Sequence, residues 1–149
     1  ETGRGRHIRQ GYIVGTDRVS VRVRIVDDSI CTLTTKLPRC GISRFEFENE
    51  LSPSEARALL GACEGAVIDK IRYEVTVCGN LWEIDVFQGD NEGLVVAEIE
   101  LRSEDQEFVW PSWLGQEVTG IAAYQNSALV KRPYKRWPKV DEVRAEAAS

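Results

Sequence analysis

From Arg44 to Glu48, in the stretch that runs on to Glu50, polar and apolar positions alternate without a break. Phe45 and Phe47 fall on one side, and Arg44, Glu46, Glu48 and Glu50 on the other. A period of two marks a β-strand with chemically opposite faces. Carboxylates in line on one face repel each other, so that face must be met by water, by cations on a neighbouring strand, or by a metal ion. The same alternation recurs upstream. Over 18–26, Val19, Val21, Val23 and Ile25 oppose Arg18, Ser20, Arg22 and Arg24. Residues 6–14 read as a strand ending at a Gly15-Thr16-Asp17 turn. Asp27-Asp28-Ser29 suits a hairpin into a further strand over 30–36. Pro38 to Gly41 breaks the pattern before the strand at 42–50.

The period then changes. Ser52-Pro53-Ser54-Glu55 is a capping box with proline at the first helical position. Ala56, Leu59, Leu60 and Cys63 form the apolar stripe of a short helix, which Gly65 ends. Strands resume over 67–77, 81–88 and 94–101, with turns at Gly79-Asn80 and from Gly89 to Gly93. Short helical pieces are predicted at Leu114–Val118 and Tyr124–Val130. From Lys139 to Ser149 the chain is polar and alanine-rich, a mobile tail or a frayed helix. Residues 6–137 therefore read as one domain and 138–149 as a tail. The fold class is β-rich α+β, with strands joined mostly by short turns and hence antiparallel. Seven strands cannot close an up-and-down antiparallel barrel without one parallel pair. The expectation is either an open sheet or an eighth strand missing from this sequence.

Composition narrows the classes. The chain has 149 residues, 42% hydrophobic and 29% charged, enough for one globular domain with a real core. Its net charge of −5 and lack of a basic tail give no support for a nucleic-acid partner. No apolar run is long enough to span a bilayer, and no signal peptide is visible. Cys31, Cys40, Cys63 and Cys78 form no CxxC pair, and His7 is the only histidine, so a structural zinc site is not expected. Scattered cysteines without a secretory signal fit reduced thiols in the cytoplasm. The sequence contains no methionine, even at position 1, so its start is read as trimmed or processed.

The strand faces carry the candidate chemistry. Arg9, Arg22, Arg24, Lys36, Arg44, Lys70 and Arg72 form a basic set. Glu46, Glu48, Glu50, Glu74, Glu83, Asp85, Glu98 and Glu100 form an acidic one. Two readings stay open. In the first, the apolar faces are the core and the charged faces are solvated, with ordinary cross-strand ion pairs. In the second, the charged faces line an enclosed lumen and helices cover the apolar faces from outside. Burying so many ions is costly unless they are paired or hold a ligand. A lumen with cations on some strands and carboxylates on others would suit a polyphosphate and the divalent metals that assist its hydrolysis.

The order of VRVRI, LTTK, GISRFEFENEL, a capped helix ending in CEG, IDKIRYEV, WEIDVFQGDNEGLVVAEIEL, PSWLGQEVTG and YQNSAL resembles the CYTH superfamily, the triphosphate tunnel metalloenzymes. The likeness runs over roughly residues 8–137 and is nearest to small bacterial single-domain members. It implies an eight-stranded antiparallel tunnel with a hydrophilic lumen and a few short outer helices. It also implies metal-dependent action on triphosphates with Mg²⁺ or Mn²⁺, most simply as an inorganic triphosphatase. Thiamine triphosphatase, adenylyl cyclase and RNA triphosphatase occur in the same family, and a binding module without turnover is the alternative from another class. The partner implied is a small-molecule triphosphate; a homodimer is left open. Position by position, the resemblance makes Arg9, Arg22, Arg24, Lys36, Lys70 and Arg72 substrate-binding cations, with Lys36, Arg72 and Asp85 in catalytic places. It makes Glu46, Glu48, Glu98 and Glu100 metal-binding carboxylates. Arg44 is assigned a structural pairing with Glu46 or Glu100. Lys131, Arg132, Lys135 and Arg136 read as surface charges, the alternative being closure of one tunnel mouth. The family opens with an E-x-E-x-K strand that carries principal metal ligands. No such stretch precedes Arg9, so that strand is expected to be absent from the sequence given.

Overall fold

The computed structural model describes residues 3–38 and 44–138. Its strands are β1 (Arg6–Gly15), β2 (Ser20–Val26), β3 (Ile30–Pro38), β4 (Arg44–Leu51), β5 (Ile68–Val77), β6 (Asn80–Phe87) and β7 (Val95–Ile99). A helix α1 (Pro53–Ala62) joins β4 to β5, and a single helical turn α2 (Asn126–Leu129) follows the sheet. The strands form one sheet in the order β4-β3-β2-β1-β5-β6-β7, and every neighbouring pair is antiparallel. The tail from Lys139, the break at 39–43 and the pairing assigned to the Arg44 side chain lie outside the described residues.

The closed eight-stranded tunnel does not form among the described residues. The sheet has seven strands and is open, with β4 and β7 as its edges. The reason is directional. Along an all-antiparallel row of seven, the first and last strands run the same way, so they cannot pair antiparallel with each other. The helix expected at Leu114–Val118 is also absent; the chain there is irregular. Gly115 lies inside that stretch and weakens any helix there.

The apolar alternation fixes which face points where. Val23 and Ile25 of β2 and Cys31 of β3 pack with Ala56 and Leu60 of α1 into one core cluster. A slip of one residue would turn this whole row out to water, so burial sets the register. Farther along the same face, Trp82 meets the edges of Phe108 and Trp113, with ring centroids 5.7 Å apart in both cases. The outer face of β1–β3 is thus covered by a helix, and that of β6 by an irregular aromatic segment. A second cluster lies on the opposite face. Ile68 and Phe87 pack there with Leu94, Leu129 and Val130, flanked by Tyr12, Val96, Tyr124, Tyr134 and Trp137. The segment around α2 therefore crosses one side of the charged face. It is anchored where the Tyr134 amide donates to Asn91 Oδ1 at 2.8 Å. Lys131, Arg132, Lys135 and Arg136 point to solvent, as surface charges do.

The helix ends obey local rules. Ser52 Oγ accepts from the Glu55 amide at 3.2 Å, and the Glu55 carboxylate accepts from the Ser52 amide at 2.9 Å. Gly65 follows with φ of +78°, and a Cβ there would lie 2.7 Å from the Val130 carbonyl oxygen. Ser52→Ala removes one half of the reciprocal cap and should lower stability by about 1 kcal/mol. In urea unfolding the midpoint should fall with an unchanged slope; an unaltered midpoint would show that the cap contributes nothing.

Candidate functional site

Register decides which charges share a face. Across the sheet, Lys36 stands opposite Glu46, Thr34 opposite Glu48, and Arg22 opposite Thr34 and Tyr12. Arg24 stands opposite Gln10, Arg72 opposite Arg6 and Asp85, and Glu83 opposite Glu74 and Glu98. These side chains belong to one face. Arg9 does not. It is paired in register with Ile25 and Asp69 on the outer face, and its guanidinium is 2.6 Å from Asp28. The structure therefore does not bring Arg9 together with the other candidate substrate-binding cations. β1 does not alternate cleanly: Ile8 and Tyr12 lie on the charged face and His7 and Arg9 on the other.

The cations fall into two groups. Lys70 is fully buried, and its Nζ is 2.7 Å from Asp85 Oδ2. It stands opposite Phe87 and reaches Asp85 along the diagonal. Arg72 forks onto the same carboxylate, Nε to Oδ1 at 2.7 Å and Nη2 to Oδ2 at 2.8 Å. Its Nη1 lies 2.7 Å from Glu83 Oε2. Burial would push the Asp85 carboxyl up, but the Arg72 hydrogen bonds and the Lys70 charge outweigh it and hold the group below the usual carboxylate range. Hydrogen bonding to Asp85 outweighs burial at Arg72 and pushes its guanidinium upward. With both oxygens engaged and its acidity strengthened, Asp85 is a poor proton acceptor. It is placed to orient Lys70 and Arg72.

Arg22, Arg24 and Lys36 form the other group. Among the described residues none has a carboxylate within ion-pair distance. Arg24 donates from Nε and Nη2 to the neutral Gln10 Oε1 at 3.0 and 2.9 Å. Burial, then Arg22 and Arg72, push its guanidinium below the usual arginine value. Arg22 Nε and Gln10 Nε2 are buried without an acceptor. Positive charge thus concentrates on β2 and β3 and unmatched donors on β1 and β2, beside a neutralised layer on β5 and β6. Such an arrangement attracts a polyanion.

The carboxylates assigned to metal do not converge. Glu46 and Glu48 are exposed on the edge strand β4. Glu98 lies on the opposite edge strand β7, and Glu100 just beyond its end. Among the described residues no three His, Cys, Asp or Glu side chains could hold a metal ion together. The described residues do not by themselves make a divalent-cation site. No described helix is long and apolar enough to cross a membrane.

Gln10, Thr34 and Tyr12 sit on the charged face without having been singled out in the sequence. They carry no charge, and only register reveals them. The alternation of Ser20, Arg22 and Arg24 on β2 was the one available signal.

Comparison with known proteins gives a consistent result. The family model described as CYTH domain matches residues 2–134. A protein named inorganic triphosphatase from Acetivibrio thermocellus is 50% identical over 130 residues, covering 87% of this chain and 83% of that protein. Another of the same name, from Nitrosomonas europaea, is 36% identical over 125 residues and covers 82% of each. A crystal structure described as that of an inorganic triphosphatase matches with a TM-score of 0.71 and 34% identity, over 87% of this chain and 84% of that one.

Removing the shared carboxylate should show what it does. Asp85→Asn leaves Lys70 buried without a counter-charge and should cost about 3–5 kcal/mol near neutral pH. A carboxyl with a depressed folded pKa contributes stability above its unfolded value and loses it as pH falls. The gap between variant and parent in urea unfolding should therefore narrow below about pH 4. An equal gap at pH 7 and pH 3 would show that the carboxylate charge is not what was lost.

Proposed function

This chain belongs to the CYTH domain family, and from that premise we propose that it hydrolyses a triphosphate, inorganic tripolyphosphate first among them. The observation that carries the proposal is the uncompensated charge of Arg22 and Arg24 on a partly enclosed face. A linear polyphosphate brings several negative charges to acceptor-poor donors, which charge-assisted hydrogen bonds reward. Arg22, Arg24 and Lys36 bind and orient the guest. Arg72, held from behind by Asp85 and Glu83, keeps free donors on the same face. Water attacks a phosphorus, one P–O–P bond breaks, and diphosphate and orthophosphate leave. Preorganised cations stabilise the charge that develops in that step. The names of relatives at 50% and 36% identity support this substrate.

The tunnel and the metal belong to the same reading. One strand set antiparallel between β4 and β7 would close the sheet with eight strands. It would also draw the two acidic edges toward each other. Oxygen donors such as Glu46, Glu48, Glu98 and Glu100 suit Mg²⁺ or Mn²⁺, which when bound neutralise phosphate charge. The described residues alone do not assemble that site, and this favours a second reading: a polyphosphate-binding module without turnover. Cys31, Cys63 and Cys78 are free thiols, in keeping with a cytoplasmic setting.

Orthophosphate release from tripolyphosphate with Mg²⁺ or Mn²⁺ tests the proposal. Arg22→Ala and Arg24→Ala should each cut turnover by roughly 10²-fold while changing stability by no more than about 1 kcal/mol. Parent-like turnover in both variants would remove these arginines from the site. Tight calorimetric binding by the parent without phosphate release would establish the module instead of the enzyme.

A further inference from the structure

Two arginines on this face are gripped through the same two nitrogens, one by a charged partner and one by a neutral partner. Arg72 uses Nε and Nη2 on the two oxygens of Asp85. Arg24 uses Nε and Nη2 on one oxygen of Gln10, its cross-strand neighbour. The donors of Arg24 require the amide oxygen to face them, which fixes Nε2 as the other end of the side chain. Gln10 is wholly buried, its rotamer held between β2 and β5, where it stands in register with Arg24 and Ile68. A carboxylate of the same length would fit the same space and make a stronger, charge-neutralising fork.

We propose that Gln10 is a positioning residue of the triphosphate site: it fixes the plane of the Arg24 guanidinium while leaving its charge for the substrate. The proposal rests on the triphosphate reading above. An amide oxygen orients by dipole, so the arginine stays a full cation. Asp85 at the equivalent place on Arg72 orients and neutralises together. The free protein bears a cost for this choice, because Arg24 then sits half-buried beside Arg22 with no carboxylate of the described residues within ion-pair distance. That cost identifies the role: a residue selected only for packing or stability at this position would be the acid.

The test compares the full chain with Gln10→Glu, using inorganic tripolyphosphate in calorimetry and thermal unfolding without any added anion. Gln10→Glu should melt higher than the parent yet bind tripolyphosphate at least tenfold more weakly. Its binding should also depend less steeply on salt, since one fewer cation remains for the guest. Arg24→Ala should then weaken binding much less in the Gln10→Glu background than in the parent. A variant that binds within twofold of the parent, or that melts lower while Arg24→Ala keeps its full effect, overturns the proposal. Should Gln10→Glu fail to fold, Gln10→Ala serves. It frees the guanidinium but keeps its charge, so affinity should fall several-fold with an unchanged salt slope; unchanged affinity overturns the role. A parent that neither binds nor hydrolyses tripolyphosphate sinks the functional reading itself. A binding parent with an indifferent Gln10 sinks only this inference.

Discussion

An ammonium with no exposed surface is tolerable only where a carboxylate meets it. The contact between Lys70 and Asp85 at 2.7 Å is the constraint on which this face depends. Asp85 does more than balance Lys70. By accepting from Arg72 as well, it ties β5 to β6 through side chains as well as through the backbone ladder. Glu83 takes up the rest of the Arg72 charge. The β5–β6 half of the face is thereby close to neutral. The surplus cations lie across β1, on β2 and β3. An even spread of pairs would have left a solvated, inert sheet. The uneven spread leaves unmatched cations gathered on one half of the face.

The outer face explains why that surplus can persist. Val23, Ile25 and Cys31 under α1, and Trp82 under Phe108 and Trp113, give the sheet its hydrophobic driving force on the side away from the ions. The buried apolar rows hold each strand to one register, since a slip would exchange the two faces. The repulsion between Arg22 and Arg24 is therefore borne by packing elsewhere, as functional sites commonly are. Phe45 and Phe47 are the exception. They stack on each other with centroids 6.1 Å apart but stay half-exposed on the edge strand.

Much of this was legible in the chain itself. Strict alternation on β2 and β4 and near-strict alternation on β5 and β6 located the strands and sorted their faces. The capping box at Ser52 and the glycine at position 65 placed α1 closely. Three features were not legible, each for a physical reason. β1 mixes Ile8 and Tyr12 with Gln10 on the charged face, so period alone put Arg9 on the wrong side. The neutralisation of Lys70 and Arg72 depends on a diagonal and a direct contact that only register supplies. The segment near Trp113 is irregular: Gly115 weakens a helix there, and Trp113 packs edge-on against Trp82, a contact that spacing along the chain does not reveal.

The α2 segment has one further effect. Tyr124, Leu129, Val130, Tyr134 and Trp137 lie against Tyr12, Ile68, Phe87 and Val96, so a greasy wall bounds the ionic patch along one flank. A hydrated anion gains nothing by approaching from that flank. Among the described residues the sheet is open at β4 and β7, so a charged guest is turned away from that flank and reaches the patch over the remaining sides.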